Sequence, residues 1–232
     1  MALQRYAPLL ALLPLDDAPA DSAHDARHLR RVLTTAVRLA EAASAALDVV
    51  VPAAWLHDLV QYPKADARNV GASRESAVRA VERLRAINYA QRRGEWFPAP
   101  KVGVVGEAEL DAEALYAMIA HAIEAHSFSA GIPPRTLEAE IVRDADRLDA
   151  LGAIGLARMF AVSGALGRPL YHESDPFAAT ARALDDKEYA VDHVYVKLFR
   201  LTFCTAAAQT EAARRIAAMQ SFLDQLRHEL GA

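Results

Sequence analysis

Hydrophobic positions recur at helical spacing through almost the whole chain. Residues 3–13 predict a short helix ended by Pro14, and the segment from Pro14 to Asp21, with Asp16, Asp17 and Pro19, reads as a loop. Ser22 or Asp21 then offers a cap for an amphipathic helix to about Ala46, with Leu29, Val32, Leu33, Ala36, Val37, Ala40 and Ala43 on one stripe. The run from Val49 to Val60 has a different pattern. It is apolar nearly all round, which predicts a buried helix, and only His57 and Asp58 interrupt it before Pro63. A polar loop from Lys64 to Gly71 leads to a helix starting at Ser73, whose predicted buried edge is Ala77, Val81, Leu84 and Ile87. Glycines and prolines around Trp96 and Phe97 mark residues 88–108 as an irregular excursion, with a short β-hairpin expected near 95–108.

Beyond it, Asp111 is positioned to cap a helix through His126, with Leu115, Ile119, Ala122 and Ile123 facing inward. Thr136, following Pro133 and Pro134, predicts another cap, for a helix to about Ala150. Gly152 and Gly155 permit close packing or a kink before Leu156–Phe160. Residues 163–186 read mainly as loop, and two long helical patterns close the chain at about 187–204 and 210–229, the latter capped by Thr210. There is no internal repeat and almost no strand signal. The expectation is an all-α fold in a single domain, 1–232, with a core at about 21–160 and the helices of 187–230 packed on it.

Composition narrows the class. The 232 residues are 53% hydrophobic and 24% charged with a net charge of −4, an ordinary globular balance that argues against a dedicated nucleic-acid binder. Basic residues do gather locally, at Arg27, Arg30, Arg31 and Arg38 and at Arg92 and Arg93. The single cysteine, Cys204, excludes an internal disulfide framework and, among Leu201, Phe203 and Ala206, reads as a buried inert thiol. Leu9–Leu13 is broken by Pro8 and Pro14 and does not read as a signal peptide. No apolar stretch approaches the roughly 18–20 residues that span a bilayer. A cytoplasmic protein without membrane or nucleic-acid partners is expected, with a homodimer as the commonest assembly.

The chemistry starts from His57 and Asp58. Burying a carboxylate costs several kcal/mol or more unless it is paired or coordinated. A metal ion is the most economical compensation, and imidazole and carboxylate together suit a divalent transition metal. His28, on the preceding predicted helix, offers a third ligand, and the acid-rich stretch Asp144-Ala145-Asp146-Arg147-Leu148-Asp149 offers a fourth. Spacing does not settle which acid: Asp144 shares a stripe with Leu137, Ile141 and Leu148, whereas Asp146 sits with Val142 and Asp149 on the neighbouring one.

The ordered set His28, His57-Asp58 and Ala145-Asp146-Arg147-Leu148 resembles the HD-domain superfamily of metal-dependent phosphohydrolases. The likeness is nearest to a small stand-alone bacterial branch related to nucleotide pyrophosphohydrolases. His24-Asp25-Ala26-Arg27-His28, Ala125-His126-Ser127-Phe128-Ser129, Ile141 through Gly155, and Asp192-His193 carry it further, over about residues 21–225. The resemblance implies an HD-type helical bundle holding one divalent ion through His28, His57, Asp58 and Asp146, with Asp144 in reserve. Mn²⁺ is favoured, and Fe, Co, Ni, Zn or Mg remain open. The implied substrate is a phosphorylated small molecule, with cleavage of a nucleoside triphosphate to monophosphate and pyrophosphate as the leading reading. The chain departs from the wider pattern after the His-Asp pair: many members carry an acid three or four positions on, where this chain has Gln61 and Tyr62.

Candidate catalytic groups are therefore Asp58, Lys64 and Asp149, with Glu75 a weaker base. Candidate substrate contacts are Arg68, His126, Arg147, His193 and Lys197, Arg147 being weighed against a structural ion pair, and His193 and Lys197 sharing a face four residues apart. His24 is read as support for its helix start, and His172 and His228 as surface residues. Two other classes stay open: a di-iron oxygenase, which would recruit His121 and His126 as extra ligands, and a non-catalytic nucleotide-binding regulator.

Overall fold

A computed structural model describes residues 2–15, 26–62, 66–97 and 111–231. The described helices are α1 (Ala2–Arg5), α2 (Ala7–Ala11), α3 (Ala26–Ala43), α4 (Leu47–Leu56), α5 (Ala72–Ala86), α6 (Tyr89–Arg92), α7 (Ala112–His126), α8 (Leu137–Asp149), α9 (Gly152–Ala165), α10 (Ala190–Val196) and α11 (Ala206–Leu230), with short 3₁₀ turns at Ala67–Val70, Arg93–Glu95 and Leu198–Arg200. No strand occurs among the described residues, so the fold is all-α as expected. The expected hairpin falls almost wholly outside them; of its span only Glu95, Trp96 and Phe97 are described, and these form a 3₁₀ turn and a bend. No single described helix is long and apolar enough to cross a membrane. The chain divides into two compact units, one of the described residues up to Asp146 and one from Arg147 onward.

In the first unit, α4 lies at the centre, packed against α3, α5 and α7, while α5 also packs on α7. Every residue from Val49 to Leu56 is buried, the outcome its uniform apolarity predicts. Pro52 stands inside α4 and has no N–H to give to the carbonyl four residues back, that of Asp48. The Tyr89 hydroxyl, fully enclosed, donates to that carbonyl at 2.5 Å. Burial pushes the Tyr89 phenol well above its ordinary pKa, so it remains a donor. The N-terminus of α4 is closed from a distance: Glu138, at the start of α8, accepts from the Ala46 N–H at 3.1 Å. Trp55 Nε1 donates to Leu13 O at 2.9 Å and fastens the N-terminal segment.

Caps set several helix ends where the sequence predicts them. Asp111 accepts from Ala114 N at 2.7 Å, and Thr136 Oγ1 from Ala139 N at 3.2 Å. The predicted edge of α5 shifts: Ser73, Ser76, Ala77, Ala80 and Leu84 are its buried residues, with Val81 and Ile87 only half-buried.

In the second unit, α9 and α10 pack together and α11 packs on α9. A Cβ at Gly155 would lie 2.1 Å from the Ala150 carbonyl oxygen, so only glycine fits that approach. The last helix starts earlier than predicted. Thr205 caps it, accepting from Ala208 N at 3.3 Å, and Thr210 instead donates from within the helix to Ala206 O. The alanines at 206–208 extend the helix to the first threonine able to cap it. The predicted helix 187–204 shortens to Ala190–Val196 because Lys197 leaves the helical region at φ −123°. Cys204 is half-buried, not enclosed as its apolar neighbours suggest.

Candidate metal centre

The His57-Asp58 pair is not inside a helix. α4 ends at Leu56, His57 is its C-cap, and Asp58 lies in the turn beyond. The last turn of a helix leaves carbonyls without partners, and the His57 ring uses one of them: Nδ1 donates to Ala54 O at 3.0 Å. The turn is then fastened to α5, where Ser76 Oγ accepts from Val60 N at 3.0 Å. Two neighbouring residues on a helix would diverge by about 100°. At this end of α4 the long imidazole and the short carboxylate nevertheless meet, with His57 Nε2 3.7 Å from Asp58 Oδ2.

Two further helices bring side chains to the same point. His28, in the first turns of α3, sets its ring 5.5 Å from that of His57. Asp146, near the end of α8, places Oδ1 3.4 Å from His28 Nε2 and 3.8 Å from His57 Nε2. Asp58 Oδ2 lies 3.9 Å and 3.7 Å from the same two nitrogens. One donor atom each from His28, His57 and Asp58 falls within 4.8 Å of the others. Donors bound at roughly 2.1 Å to a single ion stand roughly 3–3.5 Å apart, so these three must draw together to hold one, while Asp146 lies beside the group against the two histidine nitrogens. The imidazoles are the closed side of this cluster, at 1% and 0% side-chain exposure, and the carboxylates its open side, at 18% and 29%.

The donor set fits a divalent cation on its own chemistry. His57 Nε2 is buried and has no hydrogen-bond partner among the described residues. Its Nδ1 proton is committed to Ala54 O, so the lone pair is on Nε2 and faces the cluster, the arrangement a ligating histidine requires. Burial holds His57 down to about 4, against the pull of Asp58 and Asp146, so the ring is neutral at physiological pH. Burial raises the carboxyl of Asp58, but His57 and a hydrogen bond from His126 outweigh it and leave the group well below its usual range. Asp146 falls to about 2 for similar reasons, burial being opposed by its hydrogen bond to His28 and by His57. Two anions beside the neutral His57 ring and the enclosed His28 form a cation site.

His126 joins the centre from the end of α7. Its Nδ1 bonds to Ile123 O at 2.5 Å, the same three-residue reach to a last-turn carbonyl that orients His57. Its ring lies 4.7 Å from that of His57, and its Nε2 lies 3.3 Å from Asp58 Oδ1. Burial lowers its pKa, but Asp58 more than compensates and the net shift is upward. Gln61 is the contact that sequence reasoning passed over: its Nε2 donates to Asp58 Oδ2 at 3.1 Å, a pairing that the three-residue spacing could have suggested.

A match to the sequence profile of the HD domain family runs over residues 25–151, more than half of the 232. The chain belongs to the HD domain family. Over 223 residues it is 29% identical to YpgQ of Bacillus subtilis, covering 90% of this chain and 85% of that protein. The crystal structure of YpgQ in complex with ADP superposes with a TM-score of 0.59 at 28% identity, covering 98% of this chain and 94% of that one. An HD-superfamily hydrolase from Bacillus thuringiensis gives a TM-score of 0.66 at 26% identity, covering 99% and 97%. A structure from Lactobacillus plantarum gives 0.64 at 30% identity, covering 99% and 97%.

The other residues singled out in this HD-family chain fall elsewhere. Lys64 and His24 lie outside the described residues. Arg68 is exposed, paired with Asp66 at 2.7 Å and laid over the Tyr62 ring at 4.2 Å. Glu75 accepts from Tyr62 Oη at 2.6 Å and from Arg79 at 2.7 Å, so its carboxylate is already engaged. His121 Nε2 accepts the Arg135 N–H at 2.9 Å. Asp144 is fully buried within α8. In the second unit Arg147 donates to Thr202 O at 2.9 Å, and the Asp149 carboxylate is met by Arg158 at 2.6 Å. His193 and Lys197 do share a face, and both turn to Asp186 Oδ2, at 3.2 Å and 2.6 Å.

Proposed function

We propose that this HD-family chain is a divalent-metal-dependent phosphohydrolase acting on a phosphoanhydride or phosphoester bond, with a nucleotide as substrate. The observation that carries the reading is the convergence of His28, His57 and Asp58, with Asp146 Oδ1 set against both histidine nitrogens and the partnerless Nε2 of His57 aimed into their midst. His28, His57, Asp58 and Asp146 would hold the ion, Mn²⁺ being favoured by family likeness. When bound, a divalent ion supplies Lewis acidity that polarises a phosphoryl oxygen and acidifies water. Asp58 and Asp146 offset its charge, and the two enclosed imidazoles leave the carboxylate side as the way in for substrate.

His126 stands on that centre with Nε2 forward and Nδ1 fixed on a carbonyl. It is assigned contact with a phosphoryl oxygen, where an N–H donor offsets charge that grows as the bond breaks. Lys64, Arg68, Asp149, Arg147, His193 and Lys197 are carried as secondary candidates for substrate contact or proton transfer. The ADP complex of YpgQ supports a nucleotide ligand, and the hydrolase description of the B. thuringiensis relative supports the reaction class. Within that class, a nucleoside triphosphate cut to monophosphate and pyrophosphate is the favoured substrate and product pair. One ion is favoured over a di-iron centre because His121, one of the two extra histidines that centre would need, is occupied by Arg135.

The test is a panel of nucleoside mono-, di- and triphosphates incubated with the Mn²⁺-supplemented protein, with phosphate and pyrophosphate assayed separately. Release that stops with chelator and is lost in Asp58→Ala is the expected result. No release from any nucleotide, or metal-stimulated release retained in Asp58→Ala, overturns the proposal.

A further inference from the structure

The two carboxylate oxygens of Asp58 have different partners. Oδ2 faces the His57 and His28 nitrogens at 3.7 Å and 3.9 Å, and Oδ1 faces His126 at 3.3 Å. The carboxylate torsion of an aspartate is broad, so the plane of the group is set by its hydrogen-bond partners rather than by a steep torsional well. Gln61 supplies one on the side of the histidine nitrogens: its Nε2 donates to Oδ2 at 3.1 Å. The backbone just before Gln61 is anchored, with Val60 N on Ser76 Oγ at 3.0 Å, and the side chain that follows is tied down by the Tyr62 hydroxyl on Glu75 at 2.6 Å. The amide therefore reaches Asp58 from a turn held on both sides by contacts to α5. Being neutral, it donates without adding a third carboxylate beside Asp58 and Asp146.

We infer that Gln61 is a positioning residue of the metal centre, whose amide N–H holds Asp58 Oδ2 in its ligating orientation and so sets the affinity for the ion. The inference rests on the metal-dependent reading above. Outer partners of ligating groups typically contribute 10–100-fold in metal affinity, and this contact is of that kind.

The experiment is a titration of the full-length protein with Mn²⁺, reading free and bound ion by electron paramagnetic resonance, for wild type, Gln61→Met, Gln61→Ala and His57→Ala. Methionine matches glutamine in length and volume but cannot donate, so it separates the hydrogen bond from packing. Alanine removes the side chain and provides the second variant should methionine prevent folding, which a thermal melt of the ion-free proteins reports. The expected result is roughly 10–100-fold weaker Mn²⁺ binding in the folded Gln61 variants, with an altered bound-ion line shape and an unchanged melting temperature. Affinity within twofold of wild type in a folded Gln61 variant, with His57→Ala binding lost, overturns the role of Gln61 alone. Wild-type affinity in His57→Ala overturns the metal-centre reading, and this inference with it.

Discussion

Tyr89 and Pro52 make a quantitative prediction. Removing the Tyr89 hydroxyl takes from the Asp48 carbonyl, in the first unit, a donor standing where Pro52 has no N–H to offer. Losing an enclosed donor of this kind costs about 1–3 kcal/mol, whereas a hydrogen bond that can be re-formed elsewhere is worth about 1 kcal/mol or less. Tyr89→Phe should therefore destabilise by about 1–3 kcal/mol while keeping the ring's stacking on Trp96, which lies 5.8 Å away and nearly parallel. In a Pro52→Ala background the restored N–H can itself serve Asp48 O, and the same change should cost less than about 1 kcal/mol. Urea unfolding of wild type, the two single variants and the double variant gives the coupling energy directly, expected at about 1 kcal/mol or more. Equal costs of Tyr89→Phe in both backgrounds would refute the argument that the tyrosine compensates for the proline.

Asp146→Asn should remove the melting-temperature rise that Mn²⁺ gives the wild type, about 2.7 kcal/mol of stabilisation at a hundredfold excess over Kd, as read by scanning fluorimetry with and without metal. Gly155→Ala forces a methyl to within 2.1 Å of the Ala150 carbonyl oxygen, so the backbone must move; a loss above about 2 kcal/mol in denaturant unfolding is expected. Arg214 and Arg215 hold the Glu211 carboxyl down to about 2 from its ordinary 4.5. A depressed acid contributes stability above its unfolded pKa and loses it as pH falls through the folded one. Glu211→Gln should accordingly lower the melting temperature at pH 7 but converge on wild type as pH falls from about 4.5 toward 2.

Much of this protein is legible locally. The caps at Asp111 and Thr136 and the stripe of α3 involve residues within a few positions of one another, and local hydrogen bonding and periodicity decide them. The enclosure of α4 follows from a run with no polar face to offer water. The oddity of His57 and Asp58 in that run was enough to mark them as candidate metal ligands. The family likeness, rather than the helical pattern, pointed to Asp146. Periodicity favoured Asp144, and that aspartate does follow Ile141 and Leu148 into the interior. Two residues on, about 200° around the helix, Asp146 faces His28 instead.

What only the tertiary structure decided are the contacts between elements far apart in sequence. His126 reaches Asp58 because the end of α7 meets the turn after α4, and Tyr89 reaches Asp48 because α6 follows α5 back beside α4. His193 and Lys197 share a face as their spacing says, yet what that face meets is Asp186, which no helical repeat could indicate. Side-chain period and capping depend on the nearest few residues, whereas the partner of a side chain depends on where a whole helix is laid. The sequence alone therefore determined most of the helices, the buried faces of α3 and α4, and the residues out of place on them. The packing of those helices determined which of those residues meet.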